Sequence, residues 1–148
     1  MRPVTEAARS QPGPVVHVSR LRVYYEDTDA GGIVYHANYL RYFERARTDW
    51  LRALGVEHRR LGDEHGLAFV VRAASVEFRL AARLDDELDV DVRVARLGRA
   101  SVRLAQRAWR AAVPPALLAE AAVDVAVVRR ADGRPAPVPP WLHERIER

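Results

Sequence analysis

The sequence predicts an α+β domain made of one strand, a long amphipathic helix and then four antiparallel strands. Three observations carry this reading. Apolar residues alternate with polar ones between Val16 and Val23, the period becomes helical from Asn38 onward, and alternation returns in four runs after Gly66.

The first strand is expected over Val15 to Glu26, where Val16, Val18, Leu21 and Val23 alternate with polar neighbours. It runs into Glu26-Asp27-Thr28-Asp29-Ala30-Gly31-Gly32, whose paired glycines and short acids favour a loop. From Asn38, the residues Leu40, Phe43, Arg47 (through its stem), Trp50, Leu51 and Leu54 mark one helical face, and Gly55 stands where a C-terminal cap belongs. Val56 to Gly66 is polar and irregular, with room for one further helical turn.

Four strands are expected next, over Leu67 to Leu80, Glu87 to Leu97, Ala100 to Ala111 and Leu117 to Arg130. The middle pair reads as a hairpin closed by Leu97-Gly98-Arg99. The last run is alanine-rich and helical by propensity. Val123, Val125, Val127 and Val128 are β-branched, however, and the turn Ala131-Asp132-Gly133 follows, so it is assigned as a strand. A proline-rich link, Pro135 to Pro140, leads to a short terminal helix near Trp141. One helix covers only one face of such a sheet, so a second copy of the chain is expected to bury the other face or an edge.

Composition narrows the chemistry. The 148 residues suit one domain, expected over 15–148 and preceded by a short flexible arm at 1–14 without the apolar run of a secretory signal. Absence of cysteine excludes disulfides, thiolate metal sites and a Cys nucleophile. Net charge is +4, but all 24 basic residues are arginines scattered among 20 acids, and this dispersion argues against a nucleic-acid partner. Arg110, Glu120 and Asp124 interrupt the most apolar region, so no membrane insertion is expected and the protein is read as cytoplasmic.

Reactive residue types are densest from Tyr24 to Tyr39, between the first strand and the helix. A carboxylate on a glycine-bearing loop that enters a helix start has a use in acyl transfer. Free backbone N–H groups and the helix dipole stabilise an oxyanion while the carboxylate attacks or deprotonates water. Asp27-Thr28-Asp29 also matches the opening of a calcium loop, but position five is Gly31 and position twelve is Asn38, where an acid is required. A metal held by Asp27, Asp29 and His36 is chemically conceivable, although the spacing follows no standard ligand pattern.

The stretch from Tyr24 to Gly55, together with Ala81-Ala82-Arg83-Leu84-Asp85-Asp86-Glu87-Leu88, resembles the 4-hydroxybenzoyl-CoA thioesterase family. Within it, the closer likeness is to the acyl-CoA thioesterases associated with the Tol-Pal system. The resemblance implies a hotdog fold, a long central helix wrapped by a five-stranded antiparallel sheet. It further implies active sites at the interface of a homodimer, pairing of dimers into tetramers, and no cofactor or metal. The substrate it implies is an acyl-CoA or an acyl carrier protein thioester.

Carried over residue by residue, the family's catalytic aspartate is Asp29, and the N–H that polarises the thioester carbonyl belongs to His36. The His36 side chain and Tyr25 also fall at the site, Gly31 and Gly32 let substrate approach the loop, and Arg99 matches a position that meets CoA phosphates. Tyr25 is also read as a packing residue of the first strand. Glu44, two turns past His36, is a rival catalytic carboxylate, because a related hotdog branch uses one on the helix. A non-catalytic acyl-CoA sensor is the alternative function. A hotdog dehydratase or hydratase lacks its His/Asp or His/Glu motif here.

Overall fold

A computed structural model describes residues 13–148, so the expected arm lies outside the described residues except for Gly13 and Pro14. The elements are β1 (Val15–Arg22), a 3-10 turn (Tyr25–Asp27), α1 (Asn38–Ala53), α2 (His58–His65), β2 (Leu67–Phe78), β3 (Glu87–Leu97), β4 (Ser101–Arg110), β5 (Ala116–Arg129) and α3 (Pro140–Glu147). The five strands form one sheet in the order β1-β3-β4-β5-β2, and every neighbouring pair is antiparallel.

Helix α1 lies on one face of this sheet. Tyr39, Tyr42, Phe43, Ala46 and Trp50 pack in one core with Leu88, Val90 and Val92 of β3, Leu104 of β4 and Val123 of β5. Each large side chain fully withdrawn from water contributes about 1.5–3 kcal/mol, which makes this seam the main support of the fold. A polar lock crosses it. Arg47 Nη1 donates to Gln106 Oε1 at 2.9 Å, and Gln106 Nε2 donates to the Phe43 carbonyl at 3.0 Å. Burial lowers the pKa of Arg47 from the ordinary arginine value.

Strand β5 takes two neighbours, β4 and β2, and this central position overrides the helical propensity of its alanines. Gly55, with φ +86, supplies the left-handed turn that ends α1, as its place after the apolar stripe predicts.

Several expectations need correction. Strand β1 stops at Arg22 rather than Glu26, and Tyr25 belongs to the 3-10 turn, 83% exposed, instead of packing in the strand. Val16 and Val18 point outward, because the inward parity of β1 is set by Leu21 and Val23 and continues back through Ser19 and His17. Ser19 Oγ is satisfied there by donating to Asp49 Oδ2 of α1 at 2.8 Å. Leu40, assigned to the buried helix face, is 48% exposed, since Tyr39 and Tyr42 fill that stripe. The one turn allowed for Val56–Gly66 is an eight-residue helix, α2.

Candidate active site

The loop after β1 is built on Asp27. Its carboxylate is buried and accepts the Tyr24 N–H at 2.8 Å. Its carbonyl accepts the side-chain amide of Asn38 at 2.8 Å and the Tyr35 N–H at 2.9 Å. The base of this loop is therefore tied to the first residue of α1. Burial, and then the neighbouring Asp27 carboxylate, raise the pKa of the Tyr42 hydroxyl, so the floor beneath this loop keeps a neutral phenol.

Beyond Asp27 the chain makes a narrow hairpin. Thr28 bridges Val34, the Asp29 N–H donates to the Ile33 carbonyl at 2.9 Å, and the Gly32 N–H returns to the Asp29 carbonyl at 3.0 Å. Gly32 has φ +77, which the tight return requires. The Gly31 N–H donates to Asp29 Oδ1 at 2.8 Å, and a Cβ on Gly31 would stand 3.2 Å from the same oxygen. The Gly31 N–H holds the Asp29 carboxylate and the Gly32 N–H its main-chain carbonyl, while Asp29 stays exposed to solvent.

The start of α1 faces this loop without a side-chain cap. Asn38 N–H donates to the Tyr35 carbonyl and Tyr39 N–H to that of His36, whereas among the described residues the N–H groups of His36 and Ala37 donate to no protein acceptor. They are free donors at the positive end of a 16-residue helix. The exposed His36 ring stacks obliquely on Tyr35 at 4.6 Å and meets the Phe78 ring edge-on at 6.2 Å. His36 and Phe78, together with Ile33, Val34, Tyr39, Arg79 and Leu80, line an open cleft of about 260 Å³. Tyr39 is fixed from behind, its hydroxyl accepting the Ala82 N–H at 3.2 Å, and burial raises its pKa.

Asp29, Gly31 and Gly32 thus share the hairpin that precedes α1, and the His36 N–H stands at the helix start with its ring on the cleft, which Asp29 does not line. Tyr25 contributes its carbonyl, which accepts Thr28 Oγ1 at 2.7 Å, while its ring projects outward. Arg99 stands apart, at the β3–β4 turn, on a second cleft of about 280 Å³ shared with Arg72, Arg96, Arg103 and Asp124. Arg103 pairs bidentately with Asp124 at 2.7 and 3.2 Å, and among the described residues no carboxylate pairs with Arg72, Arg96 or Arg99. Glu44 is exposed on α1, accepts Thr48 Oγ1 at 3.1 Å, and borders neither cleft.

No three metal-binding side chains converge among the described residues, and the carboxylates of Asp27 and Asp29 are each engaged by a backbone N–H. Sequence reasoning missed Asn38 and Phe78 as site residues. An Asn at a helix start is a signal for local hydrogen bonding, but nothing local announces that the end of β2 folds back onto His36.

The chain as a whole is similar to several known proteins. An acyl-CoA thioesterase, YbgC, of Haemophilus influenzae is 44% identical over 119 residues, covering 80% of this chain and 85% of the relative. The acyl-CoA thioester hydrolase YbgC of Escherichia coli O6:H1 is 43% identical over the same span, 87% of its own length. Among solved structures, a probable thioesterase from Bartonella henselae superposes with a TM-score of 0.79 at 34% identity, covering 85% of this chain and 100% of that one. A 1,4-dihydroxy-2-naphthoyl-CoA thioesterase from Synechocystis shares the fold alone, with a TM-score of 0.81 at 22% identity. The common architecture is the hotdog fold. The model of the thioesterase-like superfamily matches residues 23–146, and the chain belongs to that family.

Proposed function

We propose that the protein is an acyl-CoA thioesterase that hydrolyses the thioester to a free acid and a thiol. The observation that carries this reading is an exposed carboxylate, Asp29, set on the loop that leads into unclaimed N–H groups at the start of α1. In the proposed mechanism the thioester carbonyl oxygen accepts the His36 N–H, and negative charge developing on it is met by the positive end of the helix. Asp29 then follows one of two routes. As nucleophile it bonds to the carbonyl carbon, the thiolate leaves, and water cleaves the resulting mixed anhydride. As general base it takes a proton from water, which attacks the same carbon; the C–S bond breaks and the departing thiolate takes that proton as the thiol. The His36 ring orients substrate or water.

The arginine cleft at Arg99 supports CoA as carrier, since guanidinium groups without carboxylate partners suit phosphates. An acyl carrier protein presents the same thioester on an acidic protein and is the second carrier considered. Among the described residues the outer edge of β2 is unpaired and exposes Val70, Val71 and Phe78, which supports a homodimer joined there and, from two such dimers, a tetramer. No helix among the described residues is long and apolar enough to cross a membrane, in keeping with a cytoplasmic site of action.

Thiol release from a panel of acyl-CoA and acyl carrier protein thioesters tests the reading. Turnover that saturates with at least one ester is expected. Binding without release from any of them would instead mark a non-catalytic acyl-CoA sensor.

A further inference from the structure

Between β2 and β3 the chain runs from Arg79 to Asp86, and Arg79, Leu80 and Ala81 of this segment form one wall of the His36 cleft. Both halves of the site rest on its middle. Ile33, on the return arm of the Asp29 hairpin, bridges Arg83, and the Val34 N–H donates to the Ala82 carbonyl at 2.9 Å. The Ala82 N–H donates in turn to the Tyr39 hydroxyl, in the first turn of α1, at 3.2 Å. A shift of Ala82 therefore moves the carboxylate-bearing hairpin against the helix start.

The two ends of the segment are fixed by neighbouring strands. The Arg79 and Leu80 N–H groups donate to the Leu118 carbonyl, and Asp85 and Asp86 exchange backbone bonds with Val23. Between these ends Leu84 is exposed, and Asp85 takes a left-handed backbone, φ +70, that a residue other than glycine adopts only rarely. Arg110, the last residue of β4, spans this bulge. Its Nη2 donates to the Ala81 carbonyl at 2.6 Å and its Nε to Asp86 Oδ2 at 3.1 Å. The same oxygen accepts the Arg83 N–H at 2.9 Å. One planar guanidinium thus holds two acceptors on either side of Ala82, a geometry that a point donor such as lysine does not reproduce.

We infer that Arg110 is a positioning residue for the hydrolysis: by holding Ala81 to Asp86 it fixes Ala82, and through Ala82 the placement of the Asp29 hairpin against the start of α1. The inference rests on the thioesterase reading above and adds to it a residue that does not line the cleft. The side chains of Arg110 and Asp86 are 30% and 24% exposed, and an ion pair so open to water contributes little to stability. Its loss is therefore read in turnover rather than in melting.

The test is steady-state thiol release from acyl-CoA, with thermal melting, for the full chain and for Arg110→Met, Arg110→Lys and Arg129→Met. Arg110→Met keeps the apolar stem and removes both donors. Its kcat should fall on the order of tenfold, with KM within about twofold of wild type and melting nearly unchanged. Arg110→Lys keeps the charge without the fork and should fall with it. Arg129→Met breaks an arginine–aspartate pair at the end of β5 and should leave kcat unchanged. Wild-type kcat in folded Arg110→Met, full recovery in Arg110→Lys, or an equal loss in Arg129→Met overturns the inference. If Arg110→Met fails to fold, Asp86→Asn loosens one end of the clamp and should lower kcat by a smaller factor; wild-type kcat in that variant overturns it.

Amide hydrogen exchange, followed residue by residue by NMR, reads the clamp without turnover. In Arg110→Met the Val34 and Ala82 amides should exchange faster, on the order of tenfold, while those of α2 keep their wild-type rates. Unchanged exchange at Val34 and Ala82 overturns the inference. Should the wild type cleave no thioester at all, the thioesterase reading falls alone, and this measurement decides whether Arg110 holds the hairpin and helix start in place.

Discussion

The side-chain amide of Asn38 donates to the main-chain carbonyl of Asp27 at 2.8 Å. This bond joins the base of the loop that carries Asp29 to the first turn of the helix that carries the free His36 N–H. The relative position of the Asp29 carboxylate and the His36 N–H therefore depends on Asn38, which bonds to neither.

Asn38→Ala removes that donor, and the Tyr35 N–H still satisfies the carbonyl. The expected loss of stability is about 1 kcal/mol. The expected kinetic signature is a fall in kcat with KM little changed, because the transition-state geometry is disturbed more than ground-state binding. Asn38→Asp should be at least as damaging, since a carboxylate placed against a carbonyl cannot donate. Chemical denaturation and steady-state kinetics on both variants check this.

Gly31→Ala should separate activity from stability. The added methyl meets Asp29 Oδ1 at 3.2 Å and turns the carboxylate, on a loop that is exposed and contributes little to the core. A kcat loss on the order of tenfold is expected with melting nearly unchanged. Gly133→Ala is the control. Its φ of +71 makes alanine cost about 1 kcal/mol of stability, without effect on kcat.

Asp91 governs a pH dependence of folding. It is buried on β3, and burial raises its pKa despite bonds from the Arg107 N–H at 2.8 Å and Trp109 Nε1 at 3.3 Å. Folded protein thus holds this proton more tightly than unfolded chain. Its contribution is fully present below the ordinary aspartate pKa and is lost as pH rises through the raised folded value. Urea denaturation across mildly acidic pH should show stability falling over that window in the wild type. Asp91→Asn should flatten the fall.

Most of the fold was legible because its signals are local. Alternation in β3 and β4, the helical stripe of α1 and Gly55 at its end each encode an element within a few residues. What misled were residues whose facing is decided by distant partners. Leu40 yields the inner stripe to Tyr39 and Tyr42, and the facing of Val16 is fixed by Leu21 and Val23 further along the strand. At the site, the loop spacing exposed Asp29 and His36 in the sequence, whereas Phe78 reaches His36 through the course of β2, and Arg72 joins Arg99 only through the sheet.

The central claim is that Asp29, rather than Glu44, is the carboxylate of the reaction. Thiol release measured on Asp29→Asn and Glu44→Gln, both confirmed folded, tests it most directly. A loss of at least about a thousandfold in kcat is expected for Asp29→Asn, of the size seen when a reacting group is removed, with Glu44→Gln retaining turnover. Wild-type turnover in Asp29→Asn together with collapse in Glu44→Gln would contradict it.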